Sequence, residues 1–492
     1  MDEQEKRVGM LSGGQVTRRE VLKKGLIGAA GLTVLPAVIA ACSSSATPSP
    51  VATITPTTPP AATPTPAGPA VTPAPTTPGA PTFIGPLTGQ LTVGSNHSDA
   101  SEVAGMASID AAFKTATGLD PKVNKVDHNT FQTQINSYLG ATPDDVFTWF
   151  SGFRMRFFAS KGLATAIDDV WANVSSNYTA GFANAVVGDD KKVYGIPVDY
   201  YPWCVFYRKS FFTAKSYTVP ATWTDFLALC TKMQSDGITP VAFGDDGGWP
   251  AMGWFDILNL RQNGYDFHVG LMTGANKWTD SKVTDVLNLW AKIVPFYLHG
   301  YAGLTWQKAC DSLIQQKSGM FLLGLFMTGE VATVDAANKT TVLADIDFFP
   351  FPFMGNSFDA EKALDAPIDI WMATSKSTTL QADLTNAKAY LEFWSKGSTQ
   401  VLMYKSQPGF IPTATDADKS SYDVLTAKAV SIVSQAQKIT QFLDRDTRPD
   451  FAGTNGVGSF FLTFLNNPSQ DLAAFQKSVQ DFWDKLPVYT GA

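Results

Sequence analysis

From about residue 87 onward, short apolar runs alternate with longer segments whose apolar residues recur at helical spacing. The runs at 91–94 and 145–149 have the length and composition of strands, and the second is typical of a strand buried in a parallel sheet. Helical spacing predicts helices at 100–117, 129–139, 223–235, 282–294, 306–316 and 386–394. This alternation predicts α/β lobes with helices on both faces of each sheet.

The length and composition of the chain favour two folded lobes. A chain of 492 residues exceeds what one hydrophobic core usually spans, and 45% hydrophobic with 16% charged residues is normal for a globular protein. The net charge of −7 repels phosphate backbones, so a nucleic acid partner is not expected. Aromatic residues make up 12% of the chain, which suits a large core or flat surfaces that stack on a ligand.

The N-terminal segment has the features of an export signal. The pair Arg18-Arg19 precedes an apolar run at 25–41 that is shorter than the ~20 residues of a membrane span. The arginines resemble a twin-arginine signal, and Ile39-Ala40-Ala41-Cys42 resembles a lipobox. We therefore predict a signal peptide at 1–41, removed by cleavage before Cys42, whose thiol carries a diacylglycerol anchor.

A linker follows the predicted lipidation site. Residues 46–81 are mostly Pro, Thr and Ala, and proline-rich chains are extended at ~3.1 Å per residue, up to ~100 Å here. We predict that 42–86 is a lipidated Pro/Thr-rich tether. It would hold the folded part in the cell envelope, on the outer side of the cytoplasmic membrane, either extracellular or periplasmic. Such a tether suits a capture protein and equally an anchored enzyme.

Sequence motifs for catalysis and metal binding are missing. The chain has no HExxH, no GxSxG and no Walker loop, and its four histidines are scattered. Cys204, Cys230 and Cys310 lie in apolar stretches, which favours buried free thiols, although one disulfide among them stays open. We expect no catalytic residue, no metal and no cofactor.

An ordered series of short motifs resembles family 1 extracellular solute-binding proteins, which include the maltose-binding type. The motifs are Gly195-Ile196-Pro197, 206–212, 220–226, 237–242, Trp249-Pro250 and 317–320, and the resemblance covers roughly 88–490. It implies a two-lobed periplasmic-binding-protein-like (type II) α/β fold with hinge crossings and a central ligand cleft. Carried onto this chain, lobe one is 87–198 with 321–368, and lobe two is 199–320 with 369–492. It also implies a protein that hands its ligand to ABC permease subunits. A monomer is expected.

A sugar site needs aromatic planes for C–H faces and polar groups for hydroxyls. Trp149 ends a predicted lobe-one strand and Arg154 follows it. The hinge segment offers Asp199, Tyr200 and Tyr201, of which only one tyrosine can face the ligand if the segment is extended. The remaining candidates are Asn96, His97, Trp249, Asp369, Trp371 and Phe410. Trp203 and Trp254 suit a core, and the charged stretch 442–450 suits an internal ion-pair network, with a ligand role for Asp444 or Arg448 left open.

The sequence thus predicts an extracellular solute-binding lipoprotein of an ABC importer that reversibly binds a mono- or oligosaccharide between its lobes. Two alternatives stay open. The same fold could bind a polyamine or peptide, or the chain could be an anchored carbohydrate-active enzyme. The sequence also leaves open whether the captured ligand is transported or sensed.

Overall fold

The computed structural model describes residues 86–335, 337–376, 384–453 and 455–489. The predicted signal peptide, Cys42 and all but the last residue of the predicted linker lie outside these residues. Within the described ranges, no helix combines the length and the apolarity that a membrane crossing requires.

The strands of the described residues form two main sheets and one short pair. They are β1 (Thr92–Ser95), β2 (Lys122–Lys125), β3 (Val146–Phe150), β4 (Ala164–Thr165), β5 (Ile196–Tyr200), β6 (Trp203–Arg208), β7 (Thr239–Ala242), β8 (Ser318–Gly324), β9 (Ile346–Phe349), β10 (Leu364–Asp365), β11 (Ile368–Thr374), β12 (Ile411–Pro412) and β13 (Ile439–Thr440).

Helices separate most of these strands. They are α1 (Ala100–Thr117), α2 (His128–Gly140), α3 (Phe153–Ser160), α4 (Asp168–Val174), α5 (Ala180–Ala185), α6 (Lys209–Lys215), α7 (Trp223–Ser235), α8 (Trp249–Asn263), α9 (Tyr265–Thr273), α10 (Ser281–Ala291), α11 (Trp306–Ile314), α12 (Val331–Val334), α13 (Lys339–Asp345), α14 (Thr385–Trp394), α15 (Gly397–Ser406), α16 (Val424–Gln435), α17 (Leu443–Asp446), α18 (Val457–Asn466) and α19 (Leu472–Lys485). The predicted α/β class is therefore confirmed.

The first sheet forms the core of lobe one. Its strand order is β12-β5-β11-β3-β1-β2, with β4 paired to β11. Strand β1 runs parallel to β2 and β3, whereas β11 runs antiparallel to β3 and β5. Strands β3 and β5 are buried along their whole length, as a sheet covered on both faces requires. Both main sheets are mixed, not purely parallel.

The second sheet forms the core of lobe two, in the order β7-β8-β6-β9. Strand β8 pairs with β7 in parallel and with β6 antiparallel. Only Tyr201 and Pro202 separate β5 of the first sheet from β6 of the second, so the chain crosses between lobes there. A further crossing lies between β10 and β11, where the short β10–β13 pair adjoins the first sheet.

The strand pairing corrects the predicted lobe boundaries. Strands β8 and β9 belong to lobe two, although 321–368 was assigned to lobe one. Strand β11 is central in lobe one, although 369–492 was assigned to lobe two. Helix α15 also packs on α1 of lobe one. An apolar run has the same sequence pattern whichever sheet it joins, so pairing partners cannot be read from the run itself.

Side-chain caps determine where α1 and α2 begin, and the N-terminal ends of these two helices bring polar groups to the cleft. At the start of α1, the Glu102 carboxylate accepts hydrogen bonds from the backbone N–H groups of Ser98 and Asp99 (2.9 and 3.0 Å). Asp127 caps α2 by accepting from the Thr130 N–H at 2.9 Å. Helix α2 therefore begins one residue earlier than the predicted 129.

Candidate ligand-binding site

A cavity of about 410 Å³ lies between the two lobes. Its volume is within the range of small-molecule sites. Its walls differ in chemistry. Lobe one contributes polar side chains, namely Asn96, His97, Ser98, Asp99, Glu102, Asp127, His128, Asn129, Thr130 and Gln132. Lobe two contributes four aromatic side chains, Trp203, Trp249, Trp306 and Phe326, together with the polar residues Asp246, Thr305 and Gln307.

Two aromatic groups form the apolar wall. In the first, the Trp203 ring stacks on Phe442 with centroids 5.0 Å apart and lies perpendicular to Trp249 at 6.0 Å. Because Trp249 begins α8 and Trp203 begins β6, the corner they make is held by two rigid elements. The Trp203–Trp249 corner offers a flat surface to an apolar ring face.

The second aromatic group joins the hinge to lobe two. Tyr201 stacks on Phe410 at 5.6 Å and meets the edge of Phe326 at 5.0 Å. Trp306, the first residue of α11, meets Phe326 at 5.2 Å in an edge-to-face arrangement. A continuous series of aromatic rings therefore runs from the hinge to the start of α11 along the cavity.

The polar part of the cavity near the hinge is organised by a buried ion pair. Arg445 Nη1 lies 2.6 Å from Asp369 Oδ1, and the Tyr201 hydroxyl donates to the same carboxylate at 3.3 Å. The guanidinium lies 3.9 Å from the centre of the Phe150 ring. Burial alone would lower the pKa of Arg445, but Asp369, Tyr201 and Asp444 together outweigh burial and raise it. Arg445 is therefore a fixed positive charge.

A second buried ion pair links the lobes beside the cavity. Arg154 Nη2 lies 2.8 Å from Asp444 Oδ1, and Arg154 Nη1 donates to Gln132 Oε1 at 2.9 Å. Gln132 in turn contacts the His128 ring at 2.7 Å. Burial lowers the pKa of His128, which keeps this ring neutral at neutral pH. A smaller cavity of about 220 Å³ adjoins this pair and shares Trp249 with the first.

A direct hydrogen bond crosses the cleft. Gln307, in the first turn of α11, donates from Nε2 to Asp99 Oδ1 at 3.1 Å. Burial and the neighbouring charge of Glu102 raise the pKa of Asp99 to about 6. The lobes are therefore closed around the cavity.

Six of the eleven predicted site residues line the main cavity. They are Asn96, His97, Tyr201, Trp249, Asp369 and Phe410. The structure also distinguishes the two hinge tyrosines. Tyr201 contributes to the cavity wall, whereas Tyr200 packs against Phe182 at 5.3 Å on the other side of the strand. This is the alternation that the extended segment predicted.

Five predicted residues lie outside the wall of the main cavity. Trp149 and Trp371 are core residues, 1% and 0% exposed. Trp149 packs on Phe158 and Trp371 on Trp394, so neither can be a platform for ligand in this closed structure. Tyr200 packs on Phe182, and Arg154 lines only the smaller cavity.

Asp199 is the fifth residue outside the wall. It is 3% exposed and lies opposite Asp369 in the β5–β11 register. Burial, followed by the charge of Asp369, raises the pKa of Asp199 well above its usual value. The Asp199 carboxyl group is therefore buried close to Asp369 and does not line the main cavity.

Sequence reasoning missed several wall residues. Trp203 is compatible with a core position from the sequence and is 2% exposed, yet its ring borders the cavity. Arg445 and Asp444 lie in the stretch expected to be an ion-pair network, and they form buried pairs as well as lining the cavity. Trp306, Phe326, Gln307 and Phe442 were not proposed. Only for Trp306 did the sequence contain a signal of a site position, because Trp306 begins a predicted helix and helix N-termini commonly face ligands in such folds.

The predicted free thiols agree with the structure. Cys204, Cys230 and Cys310 are buried and unpaired. Across the described residues, no group of three or more His, Cys, Asp or Glu side chains could hold a metal ion.

Two α/β lobes joined by hinge crossings and closed over an aromatic and polar cavity define the class of two-lobed binding proteins. A family model for bacterial extracellular solute-binding proteins matches residues 98–400, and the chain belongs to that family.

Relatives and solved structures extend this assignment. The chain is 37% identical to the bacterial solute receptor AcbH, with a TM-score of 0.75, covering 81% of this chain and 98% of that one. AcbH is described as having an exclusive substrate preference for β-D-galactopyranose. A chitin oligosaccharide binding protein shares the fold, at 18% identity and a TM-score of 0.69 over 80% of this chain and 98% of that one. The α-glucosides-binding periplasmic protein AglE of Rhizobium meliloti (strain 1021) is 25% identical over 408 residues, covering 77% of this chain and 84% of AglE.

Proposed function

We propose that this protein is the extracellular solute-binding component of an ABC importer that reversibly binds a sugar between its lobes, and that the sugar is a single hexopyranose of the galactose type. One observation carries the proposal. In the cavity between the lobes, aromatic planes of lobe two face a wall of amide, carboxylate and imidazole groups from lobe one. A pyranose has the matching surfaces, because its ring faces carry C–H groups and its edges carry hydroxyls. The 37% identity to AcbH supports galactose as the first sugar to test.

Isothermal titration calorimetry of the chain from Cys42 onward tests this proposal. We expect D-galactose to bind more tightly than glucose, mannose, maltose and raffinose. Binding should also change tryptophan fluorescence, because Trp203 and Trp249 border the cavity. Galactose at 100 times its Kd should stabilise the protein by about 2.7 kcal/mol. If no sugar binds while a peptide or putrescine does, the proposal is wrong.

The protein is proposed to bind sugars without chemical change. Hydrolysis of a nitrophenyl glycoside or an oligosaccharide by purified protein would favour the alternative of an anchored carbohydrate-active enzyme. Product analysis by chromatography after prolonged incubation measures this directly. A monomer is proposed, and light scattering after gel filtration tests it.

The lipid anchor is proposed from the lipobox-like sequence ending at Cys42. Metabolic labelling with a radioactive fatty acid should mark the wild-type chain and not Cys42→Ser. The Cys42→Ser chain should also appear in the medium or the periplasm instead of the membrane fraction. Equal labelling of both chains would contradict anchoring at Cys42.

A further inference from the structure

The wall of the main cavity carries more negative than positive charge. Its carboxylates are Asp99, Glu102, Asp127, Asp246, Asp369 and Asp444, and its only guanidinium is Arg445. Arg445 pairs with Asp369. Arg154, which does not line the main cavity, pairs with Asp444. Within the described ranges, no Lys or Arg lies at ion-pair distance from the other four carboxylates.

The two histidines of the wall offset little of this charge. His97 Nδ1 lies 3.6 Å from Glu102 Oε1, and its effect on the pKa of Asp99 is the weakest of those that act on that carboxyl group. His128 is held neutral by burial, which lowers its pKa. The cavity wall therefore contains three carboxylates, those of Asp99, Asp127 and Asp246, that have no Lys or Arg at ion-pair distance among the described residues.

We propose that the cleft prefers a sugar carrying an ammonium group over the neutral parent sugar and excludes sugars carrying a carboxylate or phosphate. This inference rests on the proposed sugar-binding function and specifies its ligand class. Asp99 is the assigned partner of the ammonium group. Its one side-chain hydrogen bond across the cleft comes from Gln307, and its carboxylate also caps the backbone N–H of Glu102 at the start of α1. Because a carboxylate has about four acceptor sites, these two bonds leave capacity for a ligand donor.

The surroundings of Asp99 fit a cation. Burial and the charge of Glu102 raise the pKa of Asp99 to about 6, as expected for a carboxylate whose charge is poorly compensated. Burial, followed by the charge of Asp99, raises the pKa of Glu330 to about 7, so a second carboxyl group lies within electrostatic reach of Asp99. Gln307 follows directly on Trp306, whose ring belongs to the same wall, and aromatic faces attract ammonium groups.

Calorimetry with matched sugars tests the inference. The probes are D-galactose, D-galactosamine, 6-amino-6-deoxy-D-galactose, D-galacturonate and D-galactose 6-phosphate at neutral pH and low salt. We expect at least one amino sugar to bind about tenfold more tightly than galactose, and both anionic sugars to bind at least tenfold more weakly. High salt should reduce the preference for the amino sugar.

Two variants test the role of Asp99. Asp99→Asn keeps a good N-cap residue for α1 and removes one charge, so the affinity ratio of amino sugar to galactose should fall about fivefold. Asp280→Asn is the control, because Asp280 caps α10 away from the cavity and its replacement should leave the ratio unchanged. An unchanged ratio in Asp99→Asn would overturn the assignment of Asp99.

The outcomes separate this inference from the proposed function. If galactose binds and both amino sugars bind no more tightly, or the anionic sugars bind equally well, the inference is wrong and the sugar-binding function stands. If putrescine binds and no sugar does, both are wrong.

Discussion

Two tryptophans that were both predicted to contact the ligand have opposite roles in the structure. Trp149 is the penultimate residue of β3 and follows apolar strand residues, whereas Trp249 starts α8 and follows Gly247-Gly248. Trp149 is enclosed by Phe131, Phe150 and Phe158, whereas Trp249 borders the cavity.

Replacing each tryptophan should therefore have a different effect. Trp149→Ala removes a fully buried ring and should lower the free energy of unfolding by about 3–5 kcal/mol. Trp249→Ala should cost much less stability and weaken galactose binding at least tenfold, because it removes one plane of the aromatic corner. Chemical denaturation and calorimetry measure the two effects. Tight sugar binding by Trp249→Ala would remove this residue from the proposed site.

The buried carboxyl group of Asp199 should make the stability of the fold depend on pH. Its folded-state pKa is raised by burial and by Asp369, so the folded protein keeps a proton that the unfolded chain releases above about pH 4. Stability from this group is therefore lost as pH rises from about pH 4 towards the raised pKa. Asp199→Asn removes this loss because the amide does not ionise. Urea denaturation should find Asp199→Asn more stable than wild type at alkaline pH, with the difference vanishing below about pH 4.

Equal effects of Asp199→Asn at every pH would show that the carboxyl group is ionised in the folded state. Asp120→Asn is a suitable control, because Asp120 is an exposed surface residue near Lys114. It should leave the pH profile close to that of wild type.

At the scale of single elements, helix ends could be predicted and strand partners could not. The predicted helix at 223–235 agrees with α7, because Thr222 and Asp225 form a capping box that the sequence displays. Helix α1 likewise ends at Gly118, whose φ of 77° needs a left-handed conformation. The membership of β8 and β11 in their sheets depends on contacts between residues far apart in sequence, which no local pattern encodes.

Helix α8 affects the site through one glycine. A Cβ at Gly253 would overlap the Trp203 ring, so the close approach of helix and ring requires glycine there. Gly253→Ala improves helix propensity by up to about 1 kcal/mol, yet it must displace Trp203. Since Trp203 forms the corner with Trp249, we expect sugar affinity to fall at least tenfold.

Circular dichroism and calorimetry on Gly253→Ala test this coupling. The control is Gly303→Ala, because a Cβ at Gly303 meets no neighbouring atom. Unchanged sugar affinity in Gly253→Ala would mean that the position of Trp203 is unimportant for the ligand.

At the scale of the whole molecule, chain length predicted two lobes, and the cavity between them contains side chains from both. The polar wall could be predicted in part, because Asn96 and His97 follow β1 directly. The ion pairs Asp369–Arg445 and Arg154–Asp444 could not be assigned, because each joins residues from distant parts of the chain. They link the C-terminal segment to lobe one and hold the hinge side of the cavity together.

The far side of the cleft is bridged by the hydrogen bond between Gln307 and Asp99, and this bond should favour the closed state. Gln307→Glu replaces a donor by a second carboxylate of the same shape. Repulsion between the two acids should open the lobes, increase the radius of gyration measured by X-ray scattering with galactose present, and weaken sugar affinity by at least tenfold.

A second change in the same chain tests whether repulsion is the cause. Asp99→Asn removes one of the two negative charges, so the double variant should recover most of the closure lost in Gln307→Glu, although each side chain also lines the cavity. The interaction energy from the double-mutant cycle separates the contact across the cleft from contacts that either residue makes with the sugar. Lys308→Gln, one residue further along α11 and paired with Asp311, should leave closure unchanged. If the double variant scatters like Gln307→Glu, the bridge does not control closure, and the hinge-side ion pairs are sufficient to set the closed state.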